Sequence, residues 1–149
     1  MTGQVKQCAM DTKDVVDLLY SIASQVGVLI GDKGAVSVFR FAGKQMGKKI
    51  GEGHSGKSVE EARTLVSDFF RNKEFMEGVC LQDGQAELVG CKIGLTLREQ
   101  GIPAGNHALC HFGFGLIDGV VESVTGQKIV TLHVHSEYHE NGVTCSETW

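Results

Sequence analysis

The sequence has little proline and no long apolar run, and both absences limit what the protein can be. Pro103 is the single proline among 149 residues. A membrane-spanning helix needs about 20 consecutive, predominantly apolar residues, and no uninterrupted stretch of that length is present. Residues 1–6 also lack the apolar core of a secretory signal peptide. We therefore expect a cytoplasmic protein without a membrane span.

An excess of positive charge is also missing. Fourteen lysine and arginine residues stand against eighteen aspartate and glutamate residues, which gives a formal net charge of −4. The longest basic run is Lys48-Lys49, and two lysines cannot neutralise a phosphate backbone. We expect no nucleic-acid partner.

Glycine, by contrast, is abundant, with 20 residues in the chain against a usual share of about 7%. The five cysteines are an odd number in an expected reducing compartment, so a disulfide framework is not expected. With 42% hydrophobic and 21% charged residues, the composition is that of a globular protein. The length fits one compact domain over residues 1–149.

The spacing of apolar residues predicts an α+β fold with antiparallel strand pairing. Helices are predicted over 12–30, 35–50, 58–70 and 106–125, strands over 79–82, 85–89, 128–138 and 143–149, and a loop over 98–105. Asp83-Gly84 predicts a two-residue hairpin turn, and Ser58 to Glu61 predicts a capping box. The N-terminal helices should pack on a sheet of two hairpins, with one helix inserted between the hairpins.

Three glycines recur every four residues in the second predicted helix, namely Gly43, Gly47 and Gly51. Because each interior glycine costs about 1 kcal/mol relative to alanine, their repetition indicates that another backbone packs on this face. We expect a homodimer whose helices meet across Gly43 and Gly47.

Residues 51–58 match the phosphate-binding pattern G-x-x-x-x-G-K-S. That loop requires a buried strand before it and a helix after it, and the preceding segment has helical spacing. The expectation is a connection between two helices in which Ser58 is an N-cap, and not an ATP site.

The C-terminal forty residues carry a more specific pattern. Cys110 opens a glycine-bearing helix that ends at Gly126, a strand follows over 129–133, and a second strand contains Cys145. This pattern resembles the 4-vinyl-reductase domain, also called the hydrocarbon-binding domain, and the order of the other elements agrees with it. The resemblance implies a fold shared with small subunits of TRAPP vesicle-tethering complexes, a dimer formed through helices, and an apolar cavity for a hydrophobic ligand.

The resemblance also implies a zinc ion in the aromatic-sensing members of the family. There the ligands are the helix-opening cysteine, an acidic residue on the next strand, a cysteine shortly after it and the closing cysteine. Cys110 and Cys145 match the first and the last of these. His133 stands at the acidic position and Ser136 at the middle cysteine, with His135 beside it, so two of the four ligands differ.

Thiolate and imidazole are suitable zinc ligands, usually four together, so the predicted set is Cys110, His133, His135 and Cys145. Two residues apart on a strand, the histidines should share a face. A two-residue turn at Asn141-Gly142 puts Cys145 on the opposite face. A three-residue turn with Gly142 at positive φ, or a bulge, puts it on the histidine face. Alternatively, Cys110 is a small core residue and the histidines face solvent.

Four further cysteine and histidine residues bear on this site. Cys91 could contribute a ligand because its strand belongs to the same sheet, whereas Cys8 and Cys80 are expected to be uninvolved. The side chain of His111 should point toward solvent or a dimer partner.

We expect aromatic residues from the helices to line the ligand cavity. These residues are Tyr20, Phe39, Phe69, Phe70, Phe75 and Phe114. The favoured function is a sensor or carrier of a hydrophobic small molecule that acts through a separate signalling partner. Two alternatives remain: a reductase or a haem or metal enzyme acting on a hydrophobic or tetrapyrrole substrate, for which no dinucleotide or flavin motif is present, and a dimeric assembly subunit.

Overall fold

The computed structural model describes residues 11–149, which form five helices and four strands. The helices are α1 (Thr12–Ile30), α2 (Asp32–Ile50), α3 (Val59–Asn72), α4 (Lys92–Glu99) and α5 (Ala108–Thr125). The strands are β1 (Gly78–Gln82), β2 (Gln85–Cys91), β3 (Leu132–His139) and β4 (Gly142–Thr148). The predicted α+β class is confirmed. Cys8 and residues 1–6, which were predicted not to form a signal peptide, lie outside the described residues.

The strands form one antiparallel sheet in the order β1-β2-β4-β3. The predicted turn of the first hairpin is confirmed, because Gln82 pairs with Gln85 and Gly84 has a φ of 79°. One face of the sheet is buried under the helices by residues that include Leu81, Leu88 and Val143. This buried face carries the candidate site.

The sequence-based prediction missed α4 and placed several boundaries too early or too late. The α4 helix follows β2 directly, packs against β4 and buries Ile93, Thr96 and Leu97. Its eight residues are too few for a clear apolar repeat, since they span little more than two turns. The predicted loop over 98–105 therefore begins inside this helix.

Other boundaries differ by only a few residues. The α2 helix starts at Asp32 and not at residue 35, α5 starts at Ala108 and not at 106, and β3 starts at Leu132 and not at 128. Asp11 caps α1, since its side chain accepts a hydrogen bond from the Lys13 amide. The Ser58 side chain makes no such bond, so the predicted capping box does not form.

The repeated glycines Gly43 and Gly47 of α2 pack against the backbone of α5 in the same chain. A Cβ at Gly43 would lie 2.0 Å from the Phe112 carbonyl oxygen, and one at Gly47 would lie 2.2 Å from that of Leu116. On α5, a Cβ at Gly115 or Gly119 would come equally close to the backbone of α2. The prediction of close helix packing is confirmed, but the prediction that Gly43 and Gly47 form a dimer interface is wrong, because α5 already covers them.

Helix α5 is the central helix of the core. By length and composition alone its 18 residues could cross a membrane, yet 67% of them are buried inside the protein. Its C-terminal end is defined by Gly126, in the left-handed conformation with a φ of 77°. The apolar character of α5 is accounted for by packing against α2, α3 and the other helices.

The glycine-rich segment 51–58 joins α2 to α3. No strand precedes it, because α2 continues to Ile50. Gly53 and Gly56 have positive φ values of 84° and 80°, and Lys57 is exposed. The segment therefore has the helix-to-helix context expected from the sequence and not that of a nucleotide-binding loop.

Candidate metal centre and cavity

The candidate site lies on the buried face of the central strand β4. Directly paired residues of antiparallel strands point to the same face, so the pairs of β4 identify the site. Cys145 pairs with Leu88 on one side and with Ser136 on the other. Glu147 pairs with Ala86 and with His133. Cys145 and Glu147 therefore share the core face with His133 and Ser136.

A bulge in β3 separates the two histidines. His133 pairs with Glu147 and His135 with Ser146, which leaves Val134 as an extra residue between them. An extra residue reverses the alternation of a strand, so His135 faces outward and is exposed while His133 faces the core. The expectation that both histidines share a face is wrong, and His135 does not join Cys145.

The hairpin turn differs from both predicted alternatives. His139 pairs with Gly142, so the loop consists of Glu140 and Asn141. Gly142 is not among the glycines with positive φ, and the prediction that it takes the left-handed conformation is wrong. The other predicted route, a bulge that brings Cys145 and a histidine to one face, is the one that occurs.

A second bulge brings Cys91 to the same face. The register of β2 shifts between Leu88 and Cys91, and Gly90 has a φ of 66°, a conformation that suits glycine. Cys91 is buried and immediately precedes α4.

Cys110 reaches the site from the first turn of α5. Its Sγ accepts a hydrogen bond of 3.4 Å from the Gly105 amide. Gly105, with a φ of 97°, also lies against the imidazole of His133, because a Cβ there would be 2.2 Å from His133 Cδ2. One glycine therefore allows both the thiol and the imidazole to approach the same loop.

A small cavity lies among these side chains. Its volume is about 20 Å³, and its lining includes Cys91, Cys110, Cys145 and Glu147 together with the apolar residues Met76, Leu88, Ile93 and Phe114. Such a volume holds about one water molecule, whereas an apolar cavity near 150 Å³ holds a benzene ring. In this structure the cavity has the size of an ion or a water molecule.

The cavity is unfavourable for negative charge. Burial raises the pKa of the Cys91, Cys110 and Cys145 thiols to about 12 in each case. Backbone N–H groups at the starts of α4 and α5 partly offset this effect for Cys91 and Cys110. Burial likewise raises the pKa of Glu147 to about 8. Without a cation, all four groups are held protonated near neutral pH.

Hydrogen bonds fix the orientation of His133. Its Nε2 lies 2.9 Å from the Ser136 hydroxyl, and its Nδ1 lies 3.0 Å and 3.1 Å from the two carboxyl oxygens of Glu147. Ligand atoms of His133, Cys145 and Glu147 all lie within 4.8 Å of one another. Sequence reasoning missed Glu147, although it occupies the second position after Cys145 and therefore the same strand face.

The predicted cavity aromatics are dispersed. Phe114 lines the small cavity, and its ring stacks on His133 with centroids 6.4 Å apart. Phe70 is buried and meets Phe69 edge to face, whereas Phe75 is partly buried against the core. The two remaining residues lie elsewhere: Tyr20 stacks on His107, and Phe39 lines a separate recess between α1, α2 and α5.

A polar network that sequence reasoning did not anticipate borders Phe114. The Arg40 guanidinium donates to Asp118 Oδ2 at 3.0 Å and to the Thr131 carbonyl oxygen. It also donates to His111 Nδ1 at 3.1 Å. His111 is therefore engaged within the chain and does not point freely into solvent. Asp118 and Thr131 are both buried.

No protein-family model and no curated protein matches the chain. Its fold is similar to that of the phenol-responsive sensory domain of the transcription activator PoxR, as seen in a crystal structure of that domain with phenol. The TM-score is 0.61 and the sequence identity 14%, over 93% of this chain and 75% of that chain. At this identity the likeness concerns the fold. The chain thus shares the fold of that domain, and membership of the 4-vinyl-reductase family stays a prediction.

Proposed function

We propose that this protein is a small-molecule-binding domain, a sensor or carrier, that holds a hydrophobic ligand beside a bound metal ion. The supporting observation is that Cys110, Cys145 and Glu147 line one cavity and that His133 clusters with Cys145 and Glu147, in a fold similar to that of a phenol-responsive sensory domain. Thiolate and imidazole donors favour zinc. A bound zinc ion would supply the positive charge that these buried donors lack.

The ligand would bind where the small cavity now lies. Its apolar lining is typical of sites for hydrophobic molecules, but a volume of about 20 Å³ must grow to accept a ring. Met76 lines the cavity, and the flexible thioether side chain of methionine can repack at low cost. We infer that ligand binding displaces Met76 and enlarges this space.

Two measurements test this function. Protein purified without chelator should contain about one zinc ion per chain by elemental analysis, and Cys110→Ser should lose it. Calorimetric titration with phenol should detect binding that Gly113→Ala weakens about tenfold, because the added methyl fills the cavity and meets only Phe70, at 3.8 Å. Zinc-free wild-type protein would contradict the metal site, and a wild type that binds no phenol or related ring would contradict the ligand site.

We also propose that the protein forms a homodimer through the outward faces of α1 and α2. Most of the large apolar side chains exposed in residues 11–149 lie on these two helices: Leu18, Ile22, Val28, Leu29, Ile30, Val38, Phe41 and Met46. Beside them is an entirely apolar recess of about 180 Å³, lined in part by Leu19, Val38 and Phe39. Exposed apolar side chains beside an apolar recess are typical of an interaction site, and a second copy offers both the exposed Phe41 and the recess.

Light scattering tests the dimer. The wild type should have the mass of two chains, and Phe41→Asp should shift it to one chain by placing a charge in the interface. Val134→Asp is the matched control, because Val134 is equally exposed but lies on the sheet. A monomeric wild type, or a dimer that survives Phe41→Asp and Ile22→Asp, would contradict the proposed interface.

A further inference from the structure

The contacts of Ser136 fit the tautomer of His133 that can bind a metal through Nδ1. The Ser136 hydroxyl lies 2.9 Å from His133 Nε2, 3.4 Å from the Ala104 carbonyl oxygen and 3.7 Å from Cys145 Sγ. When it donates to the Ala104 carbonyl, it accepts the Nε2 hydrogen, and a neutral imidazole has only one N–H group. In that tautomer the Nδ1 of His133 is a lone pair that points at Glu147.

Two acceptors then face each other across 3.0 Å. Both carboxyl oxygens of Glu147 lie within 3.1 Å of His133 Nδ1, and the Glu147 side chain has no exposed surface. Within residues 11–149, no lysine or arginine forms an ion pair with Glu147. Two lone pairs at this distance repel each other unless a proton or a cation lies between them. The arrangement requires one or the other.

The spacing of these atoms suits a metal ion. Two ligand atoms on one tetrahedral zinc ion lie roughly 3.4 Å apart when each bond is about 2.1 Å long. The observed distances of 3.0 Å and 3.1 Å need to open only slightly to reach that value. The Ser136 contact on Nε2 would remain, and such a partner on the second ring nitrogen is typical of metal-bound histidine.

We propose that Glu147 is a direct ligand of the metal, and that Glu147, His133 Nδ1, Cys110 and Cys145 form the complete set. The proposal rests on the function proposed above and replaces the predicted His135 with a carboxylate from the neighbouring strand. His133 stands at the position that is acidic in the family pattern. Its cross-strand partner Glu147 would supply the carboxylate instead. Ser136 is a positioning residue that fixes the tautomer of His133.

Geometry favours Glu147 over a third cysteine. Among residues 11–149, ligand atoms of Glu147, His133 and Cys145 lie within 4.8 Å of one another, whereas Cys91 and Cys110 line the cavity outside this group. We place Cys110 in the set, and Cys91 would stay a neutral thiol that packs against the cavity. Two thiolates and one carboxylate carry three negative charges, and a zinc ion reduces the total to one.

Zinc-edge X-ray absorption of the zinc-loaded wild type tests the ligand count without any substitution. We expect two sulfur and two nitrogen or oxygen neighbours per zinc ion. In competition with a chromophoric chelator, Glu147→Gln should weaken zinc binding at least 100-fold, and Ser136→Ala should weaken it 10- to 100-fold with the sulfur count unchanged. Cys91→Ala should keep both the affinity and the two sulfur neighbours.

Glu87→Gln is the matched control, because Glu87 is exposed on the opposite face of the same sheet and should bind zinc as the wild type does. Three sulfur neighbours, with one lost in Cys91→Ala, would overturn the proposal in favour of Cys91. Zinc affinity of Glu147→Gln within threefold of wild type would also overturn it. Both results leave the metal site of the proposed function standing, whereas a wild type that binds no zinc removes that site itself.

Discussion

At the scale of single residues, the most unusual group is the Glu147 carboxyl. Burial raises its pKa from 4.5 to about 8, and among residues 11–149 no lysine or arginine pairs with its charged form. Between pH 4.5 and about pH 8, Glu147 keeps its proton in the folded state and has lost it in the unfolded state. Stability therefore falls as pH rises through this window.

The first prediction concerns this pH dependence in metal-free protein with chelator present. From pH 5 to pH 8, the unfolding free energy of the wild type should fall relative to that of Glu147→Gln by about 1–3 kcal/mol, because the amide cannot ionise. The thiols contribute little here, since their ordinary pKa is 9.0 and their folded pKa is about 12. Urea unfolding at several pH values measures the effect. The prediction would be contradicted if the unfolding free energies of the wild type and Glu147→Gln changed in parallel with pH. The control variant Glu87→Gln should have the same pH dependence as the wild type.

The residues of the site also show what sequence reasoning can and cannot reach. Cys110, His133 and Cys145 were predicted as ligands and lie close to one cavity. His135 was misplaced because a bulge is set by the register of two strands, and one strand read alone looks regular. Glu147 was missed because its role depends on pairing with His133 across that same register.

At the scale of elements, the most extensive contact is between α2 and α5. Glycines on both helices remove the side chains that would otherwise hold the axes apart, as at Gly47 and Gly119. The repeat was visible in the sequence as three glycines spaced by four residues. The sequence did not show which helix packs there, because close packing within one chain and between two chains requires the same glycines.

The second prediction tests this packing. In Gly47→Ala the new methyl would meet the Leu116 carbonyl oxygen at 2.2 Å, so the helices must separate. The unfolding free energy should fall by about 1–3 kcal/mol, independent of protein concentration because the contact is within one chain. Gly34→Ala is the matched control on the same helix, since its methyl meets only the Ile30 side chain, which is half exposed.

The expected result for Gly34→Ala is a gain of up to about 1 kcal/mol from helix propensity. Chemical unfolding monitored by circular dichroism at two protein concentrations measures both variants. A Gly47→Ala protein as stable as the wild type, or a loss that disappears at high concentration, would contradict packing within the chain.

At the scale of the whole molecule, two polar junctions tie the helices to the sheet. One is the candidate metal centre, which joins α5 to β3 and β4. The other is the network in which Asp118 of α5 accepts hydrogen bonds from Arg40 of α2 and from the amide and hydroxyl of Thr131, just before β3. Both junctions contact Phe114, whose ring lies 6.4 Å from that of His133 and 6.0 Å from the Arg40 guanidinium carbon.

The order of the elements could be predicted from local sequence patterns. Their assembly could not, because it depends on long-range contacts such as those of this network. Apolar periodicity located all four long helices and the two hairpins nearly correctly, and it missed only the eight-residue α4. Contacts such as Arg40 to Asp118 join residues 78 positions apart, and no local pattern in either helix announces them. Long-range polar pairs of this kind are decided by the packed fold.

The last prediction follows from the position of Asp118, which is 3% exposed and holds three elements together. Asp118→Ala leaves the Arg40 charge and the Thr131 N–H and hydroxyl groups without their acceptor. Breaking a buried ion pair of this kind costs about 3–5 kcal/mol. Because Arg40 keeps 21% of its side chain exposed, we expect the lower end of that range. Asp118→Asn retains the shape and one acceptor oxygen, so it should lose roughly half as much.

Two spectroscopic signals show whether the loss affects the whole molecule. Far-ultraviolet circular dichroism follows the helices, and the fluorescence of Trp149, the single tryptophan, follows the end of the sheet. Since Asp118 joins these two layers, both unfolding midpoints should move together to lower urea in Asp118→Ala. Asp14→Ala, at an exposed position of α1, should change the unfolding free energy by less than about 0.5 kcal/mol. Midpoints that stay at the wild-type value, or a shift in the fluorescence signal alone, would show that Asp118 does not couple the helices to the sheet.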